Sequence, residues 1–295
     1  MAKGRQLKGR IRSVQNTRKI TRTMELVSTS KLKRAQDRVI AARPYAEALR
    51  EVIADLVTPD MSHEFPLLRR PASISQGGPR RAAVILLTSN RGLAGAFNSN
   101  LIKEARRRIE AREAEGYTVD LYAVGKKGVG FFKYLGRKLA LERTDVGDKP
   151  TADHAVEIAA PLIDAYARGE LASVELVQAR FISALQTPPA TVSILPIEPP
   201  AAKTTGGPTH DYILAPSAAA ILEQLLPLYV RNMVYRGMVE TAAGEHGARR
   251  TAMKNATDNA GDILEVLKRT YNRQRQAGIT QEISEIVGGA AALQG

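Results

Sequence analysis

The sequence predicts an α/β fold plus a long coiled coil: helices at the two ends form an antiparallel two-helix coiled coil, and a Rossmann-like α/β domain is inserted between them. Three observations support this. Apolar residues near the start recur at alternating spacings of four and three, which is typical of a coiled-coil seam. Short β-branched runs alternate with helical patterns in the middle, as in mostly parallel sheets. No proline follows Pro227, so a long C-terminal helix is allowed.

Residues 1–57 are predicted to form the N-terminal coiled-coil helix. The row of apolar residues that forms its seam is interrupted after Val14 and resumes out of phase at Ile20. From Ala35 the row continues without a break to Leu56. Pro44 is expected to bend the helix without ending it, because the seam continues in phase beyond. At ~1.5 Å per residue the helix is about 80 Å long and needs a partner helix of equal length. The predicted seam comprises Leu7, Ile11 and Val14, then Ile20, Met24 and Val27, then Ala35, Val39, Ala42, Ala46, Leu49, Ile53 and Leu56.

Residues 58–80 are rich in proline and glycine and are predicted to be a linker, and residues 81–212 are predicted to be the α/β domain. The run "AAVILLTS" is short, apolar and partly β-branched, which indicates a buried strand. The loop "PPAAKTTGGPTHD" ends the domain. Further strands are predicted at "YTVDLYAVG", "SVELVQARFIS" and "ATVSILPIE", with helices over about 98–113, 126–136 and 152–167.

Residues 213–295 are predicted to hold the C-terminal coiled-coil helix. After Pro227 nothing forbids a single helix approaching 100 Å at ~1.5 Å per residue. Its seam uses small residues, which let two helix axes approach closely, and the two terminal helices are therefore expected to pair. The predicted seam is Ala248, Ala252, Ala256, Ala260, Ile263, Leu267 and Tyr271.

The charge is concentrated at the N-terminus. The chain carries a net charge of +13, and its first 50 residues hold 14 Lys/Arg against Glu25, Asp37 and Glu47. Such a helix indicates a nucleic-acid, membrane-surface or acidic protein partner. The cations surround the helix instead of forming one stripe, which disfavours nucleic acid but leaves a basic nucleic-acid-binding coiled coil as the alternative. No apolar run is long enough to span a membrane, and no signal peptide is apparent.

The sequence offers weak signals for chemistry. Cysteine is absent and the four histidines are scattered, so no metal or cofactor is expected. "TSNRGLAGAFN" follows a strand but matches neither glycine fingerprint, and a tight strand–helix turn is favoured over a phosphate loop. "VGKKGVG" lacks the Ser/Thr of a nucleotide site, and no nucleophile elbow is present. A dinucleotide-dependent enzyme is therefore a distant rival, and no catalytic residue is predicted.

Four motifs carry a resemblance. "IRSVQNTRKITRTMELVSTSKLKRAQ", "RGLAGAFNSNL", "RRTAMKNATDNAGDI" and "ITQEISEIVGGAAA" closely resemble the gamma subunit of F-type ATP synthases, in the same order and over essentially the whole chain. The resemblance implies a non-catalytic rotor that transmits torque between a proton-driven c-ring and the catalytic beta subunits. It implies alpha, beta, epsilon and c-ring partners, and a peripheral location on the cytoplasmic face of a bacterial inner membrane.

The resemblance also implies which residues contact partners. The α/β domain is expected to bind epsilon and the c-ring, with Tyr212 as a candidate contact. The small, apolar C-terminal end is expected to turn in an apolar sleeve. The loop "TSNRGLAGAFN" departs from the family at Asn90, Ala94 and Ala96, where Asp, Cys and Gly are usual. The expected contacts with the alpha and beta head are Arg22, Thr23, Met24, Arg249, Arg275, Gln276, Thr280, Glu282, Gly289 and Ala290.

Overall fold

The computed structural model of the chain describes residues 2–57, 64–72, 77–198 and 217–292. Tyr212 and parts of the predicted linker lie outside these ranges. The described elements are α1 (Ala2–Leu56), β1 (Arg81–Leu87), α2 (Phe97–Ala114), β2 (Thr118–Val124), α3 (Lys126–Tyr134), β3 (Leu141–Arg143), α4 (Ala152–Ala167), β4 (Leu171–Ala179), β5 (Pro189–Leu195) and α5 (Ala218–Ala292).

The chain divides into two compact units. The helical unit contains residues up to Thr29 together with residues from Arg249 onwards, and the sheet unit is Ser30–Ala248. Both long helices therefore contribute to both units. In the part of the chain that the structure describes, no helix has a stretch long and apolar enough to cross a bilayer.

The sheet unit contains one five-stranded sheet in the order β3-β2-β1-β4-β5. Strands β1 to β4 are parallel to their neighbours, and only β5 runs antiparallel, beside β4. Helices α2, α3 and α4 connect the parallel strands, as the predicted α/β alternation requires. The prediction of a mostly parallel sheet is confirmed. Strand β3 was not predicted, because its three residues, Leu-Glu-Arg, show neither an apolar run nor an alternating pattern.

The core lies on both faces of the sheet. Strand β1 is buried at every position after Arg81, so its sequence is a continuous apolar run. Alternate β1 side chains enter different clusters, because successive side chains of a strand point to opposite faces. One cluster joins Ala83, Ile85 and Leu87 to α4 and to the two long helices, and the other joins Val84 and Leu86 to α2 and α3.

A buried cluster of charged side chains joins α2 to the sheet. Glu175 of β4 is only 2% exposed. Arg108 and Arg112 of α2 both donate to its carboxylate. Burial would raise the pKa of Glu175, but the hydrogen bonds from the two guanidinium groups hold that pKa below its ordinary value.

Helix α1 passes through Pro44 without ending, as predicted. The predicted phase slip is wrong. Ile20 and Val27 are 60% and 51% exposed, whereas Thr21 and Ser28 are buried. The buried positions thus keep the same four–three repeat through a polar middle section. The prediction failed because it chose apolar residues, while the buried hydroxyls are satisfied by hydrogen bonds: Thr257 donates to the Thr21 hydroxyl at 2.8 Å and Ser28 donates to the Met24 carbonyl at 2.7 Å.

Helix α5 begins upstream of Pro227 and continues through it to Ala292. Its predicted seam is wrong at Ile263, which is 51% exposed, while Leu264 is buried. A row of alanines at every fourth position drifts away from a seam that advances 3.5 residues per turn, so the buried row passes from Thr257 to Ala260 and Leu264.

The two helices pair antiparallel in the helical unit. Thr21 contacts Thr257. Three residues earlier on α1, the Arg18 guanidinium lies 3.7 Å from the position that a Cβ on Gly261 would occupy. Residue numbers fall along α1 as they rise along α5, which confirms the predicted antiparallel coiled coil.

Candidate functional site

The carboxyl ends of β1, β2 and β3 border a cavity of about 590 Å³ in the sheet unit. Ligands of open α/β sheets bind at this edge, so the cavity is where a phosphate or nucleotide would be expected. It is lined by the loop after β1, the loop after β3 and α5, including Asn90, Asp148 and Met238.

The start of α3 offers few free amides for a phosphate. The amide of Lys126 donates to Asn90 Oδ1 at 2.8 Å, and that of Gly128 donates to Thr88 Oγ1 at 2.9 Å. The Lys127 amide donates to the Ser89 carbonyl oxygen at 3.1 Å. A phosphate at a helix N-terminus is bound by these groups. The loop after β1 therefore occupies the place at the start of α3 where a phosphate would bind, which argues against a nucleotide at "VGKKGVG".

The glycines of "VGKKGVG" permit this close packing. Gly125 has φ +98°, and a Cβ there would lie 2.1 Å from the Thr88 carbonyl oxygen. A Cβ on Gly128 would lie 2.9 Å from Thr88 Oγ1. Both positions need glycine because β1 and α3 approach closely, and this accounts for the motif without a nucleotide.

The carboxylates beside the cavity are engaged in ion pairs. Arg143 donates to both oxygens of Asp145 and lowers its pKa to about 2. Burial would raise the pKa of Asp148, but its hydrogen bond with Lys31 holds that pKa below the ordinary value. A general acid at neutral pH needs a raised pKa instead. Among the described residues, no group of three or more His, Asp or Glu side chains is placed to hold a metal ion.

The predicted head contacts on α1 lie in the helical unit. Arg22 and Thr23 are exposed, and Met24 is half-buried. Arg22 pairs with Glu25 at 3.0 Å, and the Thr23 hydroxyl donates to the Lys19 carbonyl at 3.0 Å. Both bonds are local to one helix, so the outer surface at this level stays open to another chain.

The predicted contacts on α5 divide into two groups. Arg249 is only 7% exposed, so most of its side chain is buried within the chain. The others lie on the exposed surface of α5, and nothing lies within 4 Å of a Cβ built on Gly289. The exposed group comprises Arg275, Gln276, Thr280, Glu282, Gly289 and Ala290.

An exposed apolar stripe near the end of α5 was missed from the sequence. Ile279, Ile283, Ile286 and Val287 are between 49% and 71% exposed. Their spacing of four, seven and eight places them on one side of the helix, and Ala290 continues it. We call these five residues the tip stripe. The spacing was visible in the sequence, but it is the partner helix that decides whether such a row is buried.

The surface of α1 in the helical unit is strongly basic. Residues 1–29 contain eight Lys/Arg and a single carboxylate, Glu25. Those from Arg5 to Arg22 are all exposed. With so few carboxylates of its own, this surface is suited to an acidic partner surface.

Comparison with known proteins identifies the chain's relatives. A family model described as "ATP synthase" matches residues 3–293. The ATP synthase gamma chain of Gemmatimonas aurantiaca is 62% identical, and that of Verminephrobacter eiseniae is 40% identical, each over 100% of both chains. A chain in the Euglena gracilis mitochondrial ATP synthase (OSCP/F1/c-ring) has a TM-score of 0.68 at 18% identity, covering 99% of this chain and 95% of that one. A chain of the Tetrahymena thermophila ATP synthase central stalk/c-ring has a TM-score of 0.58 at 19% identity, covering 80% of this chain and 99% of that one.

The match extends over nearly the full length of the chain, and the solved structures have the same fold. The paired terminal helices and the sheet between them in sequence follow the order that the motifs predicted. The chain belongs to the gamma chain family of ATP synthase.

Proposed function

We propose that this chain is the central-stalk rotor of an F-type ATP synthase and transmits torque between a proton-driven c-ring and the catalytic beta subunits. It makes and breaks no bonds itself. The observation that carries the proposal is the antiparallel pairing of α1 with α5 in this chain, because two paired helices resist twisting better than one. Its similarity to ATP synthase gamma chains supports the same role. The Tetrahymena neighbour is described as a central stalk with its c-ring, which supports the same role.

The helical unit would contact the alpha and beta subunits. On α1 the proposed contacts are Arg22, Thr23 and Met24, whose neighbouring cations suit carboxylates on beta. On α5 they are Arg275, Gln276, Thr280 and Glu282. Arg249 belongs to the same proposed set, but at 7% exposure it would act mainly by holding the helix surface in place.

Weak contacts suit this role. An exposed ion pair contributes only about 0–1 kcal/mol. A rotor must leave each contact and form the next, and a deep energy well at one angle would stall it. A basic helix surface with a single carboxylate of its own over residues 1–29 would therefore allow many similar contacts with acidic loops around one turn.

The tip stripe would face the apolar wall of the head, with Ala290 as its small member and Gly289 next to it in the chain. Ala290→Lys would place a charge on the stripe and is expected to reduce assembly and coupled synthesis. Gly288→Lys is the matched control, because Gly288 lies on the opposite side of the helix and is equally open. Equal effects of the two changes, or no effect of Ala290→Lys, would contradict this assignment.

The sheet unit would connect the rotor to the membrane part. We propose that the α/β domain, residues 81–212, binds epsilon and the c-ring, with Tyr212 as a candidate contact. The terminal segments 1–57 and 213–295 would form the shaft. The chain would then be a peripheral protein on the cytoplasmic face of the bacterial inner membrane.

Co-expression with alpha and beta subunits tests the proposal. One complex with ATPase activity that depends on this chain is expected. Failure of the three chains to copurify would contradict it. A nucleic-acid-binding protein would instead bind DNA with an affinity that falls steeply with salt.

A further inference from the structure

The loop between β3 and α4 reaches both long helices through one residue, Asp148. Lys31 of α1 donates to its Oδ2 atom. His246 of α5 places Nε2 3.8 Å from its Oδ1 atom. Arg38, two turns along α1, donates to the Asp148 carbonyl oxygen at 3.1 Å. All four residues belong to the sheet unit, so within this unit a single loop residue contacts α1 and α5 together.

The same loop is fixed to the sheet. The Asn90 side-chain amide, just after β1, donates to the carbonyl oxygens of Thr144 at 3.0 Å and Val146 at 2.8 Å. Arg143 of β3 holds Asp145. On the far side of Asp148, Thr151 caps α4 by accepting from the His154 amide. The loop is therefore anchored on both sides of Asp148, and any displacement of the sheet is passed to that carboxylate.

Two hydrogen bonds also join α5 to the end of β4 and the loop after it, where the amides of Ala179 and Phe181 donate to Thr241 and Glu240, each at 3.2 Å. Apolar clusters make further contacts between the long helices and the sheet. Leu49 and Ile53 of α1, with Val230 of α5, belong to the main core cluster. A smaller cluster joins Ala35 and Val39 to Val239 and Ala243. Apolar burial is non-directional, so it opposes separation more than sliding. Charge-assisted hydrogen bonds have a preferred geometry and oppose sliding as well.

The surroundings keep this contact charged. The Lys31 and Asp148 side chains are 33% and 30% exposed, and His246 is 2% exposed. Asp148 also feels the positive charge of Arg91, and Lys149 and Glu245 line the same cavity. A half-shielded pair is screened less than a fully exposed one, so it retains strength in salt.

We infer that Asp148 is a positioning residue that keeps the five-stranded sheet locked to both long helices when torque passes between them. This inference rests on the proposed rotor function. It predicts a defect that appears under load and is absent when the rotor turns freely.

The test compares loaded and unloaded activity. Asp148→Asn is introduced into the complete membrane complex and into the detached alpha–beta–gamma head. ATP synthesis by the membrane complex is expected to fall about three- to fivefold, the range available to a partly shielded ion pair. ATP hydrolysis by the detached head is expected to stay within about twofold of wild type, since no load acts on the sheet there. Asp153→Asn is the matched control, because Asp153 is an exposed carboxylate in the first turn of α4, outside the anchored loop, and this change should leave both activities unchanged.

A second pair of variants guards against a folding defect in Asp148→Asn. Lys31→Gln should reproduce the loss of synthesis, and Lys31→Arg should restore it. Wild-type synthesis in both Asp148→Asn and Lys31→Gln would overturn the inference, as would an equal loss of loaded and unloaded activity. If Asp148→Asn fails to assemble, Lys31→Gln decides by the same criterion. If the wild-type chain itself supports no coupled activity, the proposed function fails, and the inference fails with it.

Discussion

The buried threonine pair offers a quantitative test of the helical unit. Thr21→Val and Thr257→Val each remove the 2.8 Å hydrogen bond between the two hydroxyls while preserving side-chain shape. Thr21 also lies 3.1 Å from the Arg18 carbonyl, and Thr257 lies 2.8 Å from the Met253 carbonyl. The hydroxyl left behind therefore keeps one partner. Each single change should cost one net hydrogen bond, about 0.5–1.5 kcal/mol of unfolding free energy.

The double variant should cost hardly more than either single one, because both changes remove the same bond. A double-mutant cycle would then give a coupling energy of about 0.5–1.5 kcal/mol. Urea unfolding followed by far-UV circular dichroism measures all four proteins. Thr17→Val is the control: its hydroxyl is exposed and bonds only locally, to the Ser13 carbonyl at 3.2 Å, so it should change stability by less than about 0.5 kcal/mol. Strictly additive single effects would refute the pairing.

Three further predictions concern other parts of the chain. Gly125→Ala should destabilise by at least about 1–3 kcal/mol, because φ is +98° and the new Cβ would lie 2.1 Å from the Thr88 carbonyl oxygen. Gly130→Ala has open space in α3 and should be neutral or stabilising by up to about 1 kcal/mol in thermal unfolding. Glu175 has a lowered pKa in the folded chain, so the stability it adds is present above its unfolded pKa of about 4.3 and is lost as the pH falls through the folded pKa. Acid unfolding of Glu175→Gln should therefore show a smaller loss of stability than the wild type. The same acid-unfolding profile in both proteins would contradict this prediction. Thr21→Cys/Thr257→Cys should form an intramolecular disulfide on oxidation, detected by gel mobility, and because the natural chain has no cysteine, failure to form it would count against the pairing.

Much of the fold could be predicted from sequence because its signals are local. The β1 run is apolar throughout, which predicts a strand covered on both faces, and it is one. The four–three spacing from Ala35 to Leu56 predicted a seam, and Ala35, Val39, Leu49, Ile53 and Leu56 are buried. In both cases hydrophobicity and position gave the same answer.

The seam of the helical unit could not be predicted in this way because its burial depends on the partner helix. Thr21 and Ser28 are polar yet buried, while Ile20 and Val27 are apolar yet exposed. Hydrogen bonding satisfies the first pair, and no contact within the described chain covers the second. An apolar residue left outward on a well-formed coiled coil is the pattern expected where other chains bind.

The site was likewise only partly accessible from sequence. Individual residues such as Arg22 and Glu282 came from a motif resemblance, and they lie on exposed surface. Arg249 came from another motif of the same resemblance but is buried. The contacts of Asp148 with Lys31 and His246 join residues 117 and 98 positions apart, which no local pattern could have revealed.

Direct observation of rotation tests the central claim most directly. The head is assembled from alpha, beta and this chain and is fixed to a surface. Tyr134→Cys, at a position that is 88% exposed in the sheet unit, provides the single cysteine to which a bead is attached. The account predicts stepwise, one-directional rotation of the bead when ATP is added. A head that hydrolyses ATP at the full rate while the bead only fluctuates about a fixed angle would contradict it.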